Sequence, residues 1–228
     1  RGDARNAGRL QSLDAAIAYG DHEKDLRGWL WPGDLNHGAM TITDRNALSE
    51  RIMQMAQYAP VVICYGNHDR PGDLDVFGRL HGKHPISVVG TTTQYVGIHR
   101  KPCSDLLHSN KPDYSSHFSG EYCGTVMVVP YPTKASLLAQ GLTGADLLEE
   151  GGRLLGTHFE TFAREEVGVR PDVPCLVIGH FNVAGSQSSA GQPQIGREIE
   201  VNPADMRAVG EHTYIGLNHI HKQQTIQN

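Results

Sequence analysis

Val61-Val62-Ile63-Cys64-Tyr65-Gly66-Asn67-His68-Asp69 joins an unbroken apolar run to a glycine and then to an amide, an imidazole and a carboxylate. An apolar run of this length closed by glycine reads as a strand covered on both faces. Polar groups just past the carboxyl end of such a strand lie where open α/β sheets collect their ligands. The pattern recurs along the chain. Leu30-Trp31-Pro32 leads into Gly33-Asp34-Leu35-Asn36-His37, Cys175-Leu176-Val177-Ile178 into Gly179-His180, and Tyr214-Ile215-Gly216-Leu217 into Asn218-His219-Ile220-His221. These strand ends deliver Asp, Asn and several His, residue types that ligate divalent cations.

The intervening segments fit α/β architecture. Leu10, Leu13 and Ile17 predict a helix over residues 6–19 stopped by Gly20. Leu48, Ile52 and Met55 predict a second helix, opened by Thr43 or Asp44 and closed before Pro60. Strand–helix–strand alternation implies parallel pairing and right-handed crossovers. Further helices are expected over 73–80, 145–167 and 203–209, and further strands over 86–89, 126–129 and 198–201. Residues 91–124, rich in Ser, His, Lys, Gly and Pro, read as a surface loop or hairpin insert, and residues 184–196 as a substrate-facing lid. A length of 228 residues suits one domain over 1–228 and crowds two.

No apolar run is long enough to span a bilayer and none resembles a signal peptide, so no membrane association is expected. Cys64, Cys103, Cys123 and Cys175 contain no C-x-x-C pair. Cys64 and Cys175 read as small core hydrophobes, a Cys103–Cys123 pairing stays open, and a reducing cytoplasmic setting is the default. A net charge of −5 argues against a simple nucleic-acid binder, although bound divalent ions would reverse the sign locally.

Each candidate residue has a plain alternative. Asp34 has two oxygens and can bridge two cations, yet an aspartate after a strand is more often an Asx-turn or helix cap. Asn67 offers a neutral amide oxygen, and His68 beside it points elsewhere, toward a leaving group it would protonate. Asp69 would orient His68 or cap the next turn; the alternative is a solvated Gly-Asn turn. A lone His180 after an apolar strand is more often a satisfied residue than a ligand. His219 and His221, two apart on an extended chain, would leave from one face and share a cation. Arg70, Lys134, Arg197 and Lys222 are placed for phosphate or for solvent. His22, His81, His84, His99, His108, His117, His158 and His212 lie in polar or poorly patterned segments and are assigned to solvent. Coincidence at every strand end of one chain is harder to accept than coincidence at any single one.

Gly33-Asp34, Gly66-Asn67-His68-Asp69, Gly179-His180 and His219-Ile220-His221 resemble, in order, the successive signatures of the calcineurin-like metallophosphoesterases. Gly33-Asp34-Leu35-Asn36-His37, Val129-Pro130-Tyr131-Pro132, His180-Phe181 and Asn218-His219-Ile220-His221-Lys222 resemble the SbcD-type DNA repair nucleases. The resemblance implies a layered α/β/β/α sandwich with its site at the strand C-terminal ends. It implies two divalent metal ions, usually manganese, while the mixed oxygen and nitrogen donors also suit iron or zinc. Asp34 would bridge, Asn67, His180 and His219 would hold one ion, and His221 would help hold the other. His68 would act on the leaving oxygen with His37 nearby, and Arg70 and Lys222 would contact substrate. The implied reaction is exonuclease-like hydrolysis of DNA by water attack, with an SbcC-like coiled-coil ATPase as partner.

The chain departs from the family in two places. Members open with Asp-x-His at the end of a first strand, for which Asp3 and the Asp21-His22 pair are poor substitutes in position and spacing. Asn218 stands where the family usually has glycine. The chain is therefore expected to be a catalytic domain clipped at both ends, its first strand missing and its open sheet position suited to another chain, including a homodimer partner. A phosphoesterase for small substrates and an inactive fragment are the competing readings.

Overall fold

The computed structural model describes residues 2–99, 107–109, 122–143, 146–168, 171–188, 198–211, 213–222 and 224. In chain order, α1 (Gly2–His22), β1 (Trp29–Trp31), α2 (Ile42–Tyr58), β2 (Val61–Cys64) and β3 (Ile86–Val89) come first. The three strands pair in parallel in the order β1-β2-β3, with Trp31 opposite Ile63 and Cys64 opposite Val89. There follow β4 (Gln94–His99), β5 (Leu107–Ser109), β6 (Tyr122–Val129), α3 (Lys134–Ala139), α4 (Leu147–Phe162), β7 (Cys175–His180), β8 (Asn182–Val183), β9 (Glu200–Val201), α5 (Pro203–Arg207) and β10 (Tyr214–Asn218). The second sheet has the order β10-β7-β6-β4-β5: its β10, β7 and β6 are parallel, and β4 runs antiparallel to β6 and β5. β8 and β9 form a separate short parallel pair. The chain is thus mixed α/β.

Side-chain alternation along the strands creates three apolar layers. Val62 and Cys64 of β2 meet Val126 and Val128 of β6 and Ile178 of β7 between the two sheets. Val61 and Ile63 face the opposite way, onto Leu48, Ile52 and Met55 of α2 and Leu13 of α1. Met127, Val129 and Val177 cover the outer face of the second sheet against Leu155, Phe159 and Phe162 of α4. The sheets therefore lie face to face with helices outside each. This alignment brings the C-terminal ends of β1, β2, β7 and β10 to a common edge.

Several elements differ from the sequence expectation. α1 runs through Gly20 to His22, because that glycine is a contact point: a side chain there would strike the Trp29 indole. α2 begins earlier than expected, at Ile42, where Thr41 and Asp44 form a reciprocal capping box. Within 91–124, β4 is not a surface insert but an interior strand, with Tyr95, Val96 and Ile98 buried. Residues 100–106 and 110–121 lie outside the described residues, as does Cys103 and hence the possible Cys103–Cys123 pairing. The expected helix over 73–80 is only a 3-10 turn at Phe77–Arg79, and that over 145–167 is α4 followed by a π-turn at Ala163–Val167. α3 was not anticipated; Thr133 and Ser136 cap it reciprocally. Cys64 and Cys175 are buried, as expected. Among the described residues no helix is long and apolar enough to cross a membrane.

The layering makes a direct stability prediction. Leu48 is 0% exposed under the first sheet, so Leu48→Ala should lower unfolding stability by about 3 kcal/mol in urea titration. Ile42→Ala, at a side chain 77% exposed, should change it by less than about 0.5 kcal/mol.

Candidate functional site

Parallel pairing of β1 with β2 sets the turns after them side by side, and one carboxylate locks them together. Asp69 is buried, and its Oδ2 accepts the backbone N–H groups of Asp34 at 2.9 Å and Gly66 at 2.8 Å. Its Oδ1 accepts that of Asn36 at 2.7 Å. The Gly38 N–H donates to the His68 carbonyl at 3.0 Å, adding a second tie. Asp69 therefore neither orients His68 nor caps the next turn. It joins the two motifs. Burial raises its pKa, outweighing the three N–H groups that favour the anion.

The close approach depends on glycine and on left-handed backbone. Gly33 has φ +92, and a Cβ on it would meet His180 Nδ1 and come within 2.9 Å of the Gly66 Cα. A Cβ on Gly66 would meet the Asp34 carboxylate. Asp34 itself has φ 56, a region aspartate tolerates better than most residues. Its Oδ1 accepts the His68 backbone N–H at 3.0 Å.

The second sheet supplies the imidazoles. Register places Asn218 of β10 opposite His180 of β7, so His219 follows directly beside it. His180 Nδ1 lies 3.0 Å from the Pro32 carbonyl oxygen, His180 Nε2 lies 2.8 Å from Asn67 Oδ1, and the same Nε2 lies 3.5 Å from Asp34 Oδ1. His219 Nδ1 lies 3.3 Å from the same Asn67 oxygen, and its Nε2 lies 2.7 Å from Glu198 Oε2. The Asn218 amide donates to the Gly33 carbonyl at 3.1 Å, binding the two sheets at this edge. Tyr131, just beyond β6, packs its ring at 6.0 Å from that of His180 and 5.5 Å from that of His219.

Of the residues singled out in the sequence, Asp34, Asn67, His180 and His219 thus meet. His37 and His68 pair beside them, ring centroids 4.1 Å apart, and both are exposed. Arg70 and Lys222 are exposed, with Lys222 Nζ donating to Gln187 Oε1 at 2.7 Å. His221 is exposed two residues past His219. The expected extended His219–His221 pair is a correction: β10 stops at Asn218, and His219 has φ 103, which turns the chain and ends the alternation. Among the described side chains the assignment of outlying histidines to solvent also fails at two positions, while those of His99, His108, His117 and His212 lie outside the description. His84 is buried, and His158 is half-buried with Nδ1 3.2 Å from the Tyr95 hydroxyl. Arg197 and residues 189–196 of the expected lid lie outside the described residues. Glu198 and Tyr131 were not anticipated as site residues.

The donor chemistry tests whether a cation fits. The Pro32 carbonyl can only accept, so His180 Nδ1 carries the hydrogen and Nε2 presents a lone pair. Burial supports the neutral ring, pushing the His180 pKa down to about 4. That lone pair faces the Asn67 oxygen, as its amide is oriented, and the Asp34 carboxylate. Three electron-rich atoms pointing at one another are relieved by a positive ion between them. Ligands held at about 2.1 Å and right angles around one ion stand about 3 Å apart, similar to these separations. Among the described residues no three His, Cys, Asp or Glu side chains gather closely enough to hold an ion unaided. The cluster closes through the Asn67 amide, which lies between the imidazoles.

No family model matches the chain. The chain is similar to the SbcD subunit of the nuclease SbcCD of Bacillus subtilis (strain 168), 26% identical over 177 residues, covering 74% of this chain. The chain spans 39% of the length of that relative.

Two measurements check this geometry. Asp69→Ala strands three backbone N–H groups and should cost about 3 kcal/mol or more of unfolding stability. In EDTA, the depressed His180 pKa should contribute stability in full above its ordinary 6.5, and lose it as pH falls toward about 4. The stability difference between wild type and His180→Gln should therefore shrink across that window in denaturant titrations; a difference independent of pH would contradict the neutral buried ring.

Proposed function

We propose that this chain is a single catalytic domain of the metallophosphoesterase type, in its SbcD-like nuclease branch, hydrolysing DNA phosphodiester bonds with divalent metal ions. The observation that carries this reading is the meeting of Asp34, Asn67, His180 and His219 at the ends of four strands from two sheets. The helix–sheet–sheet–helix layering supports the superfamily. The similarity to a named nuclease subunit supports the branch and the substrate class, and favours an SbcC-like partner.

Asp34, Asn67, His180 and His219 would hold one ion, and Asp34 with His221 would contribute to a second; manganese suits this mixed donor set, as do iron and zinc. Bound there, divalent ions polarise a phosphoryl group and lower the pKa of a bound water. The remaining chemistry belongs to the chain. Water oxygen bonds to phosphorus as the bond to the leaving oxygen breaks; that oxygen takes a proton from the His68 imidazole, and the attacking water releases one to solvent, from which His68 is reprotonated. His68 is suited to this because its backbone is fixed on Asp34 while its ring stays exposed. His37, packed on that ring, sets its direction. Arg70 and Lys222, both exposed, are available to substrate phosphates.

Incubation with linear DNA and manganese, beside a small chromogenic diester, tests the reading. DNA cleavage is expected, and cleavage of the diester alone would favour a small-substrate phosphoesterase. His68→Ala should reduce turnover by about 10²–10⁴-fold while manganese still binds, whereas Asp34→Ala should lose both. If His68→Ala also abolishes manganese binding, the division of roles is wrong.

A further inference from the structure

We propose that Glu198 is the positioning residue for His219, accepting the proton on Nε2 and thereby aiming the Nδ1 lone pair at the cation site. The inference rests on the metal-dependent reading above and deepens it. A carboxylate accepts and does not donate when ionised, so the 2.7 Å contact from Glu198 Oε2 places the imidazole hydrogen on Nε2. In the neutral ring Nδ1 then holds the lone pair, 3.3 Å from the Asn67 oxygen. The ring is held in this orientation from other directions too. It is buried, with Tyr131 at 5.5 Å and the His180 ring at 5.2 Å.

The two imidazoles are therefore oriented by unlike partners. His180 has the neutral carbonyl of Pro32, and His219 has an acidic side chain. An anionic acceptor makes the imidazole a stronger donor to a cation and fixes its tautomer. The fold explains how a residue distant in sequence arrives here. β8 begins two residues after His180 and pairs with β9, Asn182 lying opposite Glu200. Glu198, two residues ahead of Glu200, is carried back to the ends of β7 and β10. Asn182 Nδ2 donates to Glu200 Oε1 at 3.3 Å, reinforcing that short pairing.

Glu198 is not a buried keystone. Its side chain is 21% exposed. It lines an open cavity of about 730 Å³ with Glu149, Glu200 and Asp205. Its truncation therefore leaves solvent-accessible space, and the variant should fold.

The test is read on the tautomer and on metal affinity. Long-range ¹H–¹⁵N correlation of ¹⁵N-histidine-labelled protein at pH 8 in EDTA, with His219 assigned through His219→Gln, should show the proton on Nε2. Glu198→Ala should shift the signal toward the Nδ1–H form, and Glu198→Gln, whose amide oxygen still accepts, should largely keep it. Manganese titration by calorimetry should show roughly 10–100-fold weaker binding in Glu198→Ala and a smaller loss in Glu198→Gln, with the thermal transition retained. An Nδ1–H tautomer in the wild type, or unchanged manganese affinity in Glu198→Ala, overturns the inference while leaving the hydrolase reading intact. A wild type that binds no manganese overturns that reading and the purpose assigned to Glu198, whatever the tautomer.

Discussion

A single buried carboxylate holds the architecture of the site together. Asp69 accepts from three backbone N–H groups, two on the turn after β1 and one on the turn after β2. Burying a carboxylate is costly, and its raised pKa shows that desolvation is only partly offset by those bonds. What is gained is position. With the turns joined, Gly33 and Gly66 approach so closely that neither can carry a side chain, and the Asp34 carboxylate is delivered to the space in front of His180. The approach of the Asp34 and Asn67 turns to each other rests on this contact.

The proposed division of roles follows a difference in burial between the two pairs of histidines. His180 and His219 are buried, and the outward nitrogen of each is taken by an oxygen acceptor, Pro32 in one case and Glu198 in the other. Such rings are fixed in direction and suit a role as ligands. His37 and His68 are exposed, their rings tilted against each other at 4.1 Å, which places them on the solvent side of the cluster. Two sheets packed through a close-packed apolar interior hold their strand ends in fixed relative positions, as cores tolerate little slack. The exposed pair needs only to follow the backbone that the core has placed.

Much of this was legible in the sequence, for identifiable reasons. The strand ends announced themselves because an apolar run closed by glycine and followed by Asp, Asn or His is a local signal. β4 was not legible, because Gly97 and the flanking Gln94 and His99 obscure a strand that is buried on both faces. Gly20 read as a helix stop because its real reason, the Trp29 indole, lies across a turn in the chain. Glu198 carried no signal: its place depends on the two-residue pairing of β8 with β9, too short to leave a periodicity. The turn at His219 was hidden for a different reason, since nothing in Asn218-His219-Ile220-His221 marks the left-handed backbone that breaks its alternation.

Whether Asp34, Asn67, His180 and His219 surround a divalent cation can be read from anomalous scattering by manganese-soaked crystals. An anomalous peak is expected within bonding distance of the Asp34 carboxylate, the Asn67 amide oxygen, His180 Nε2 and His219 Nδ1. A saturating soak that leaves this position without a peak, or places manganese only elsewhere, would refute the cation site.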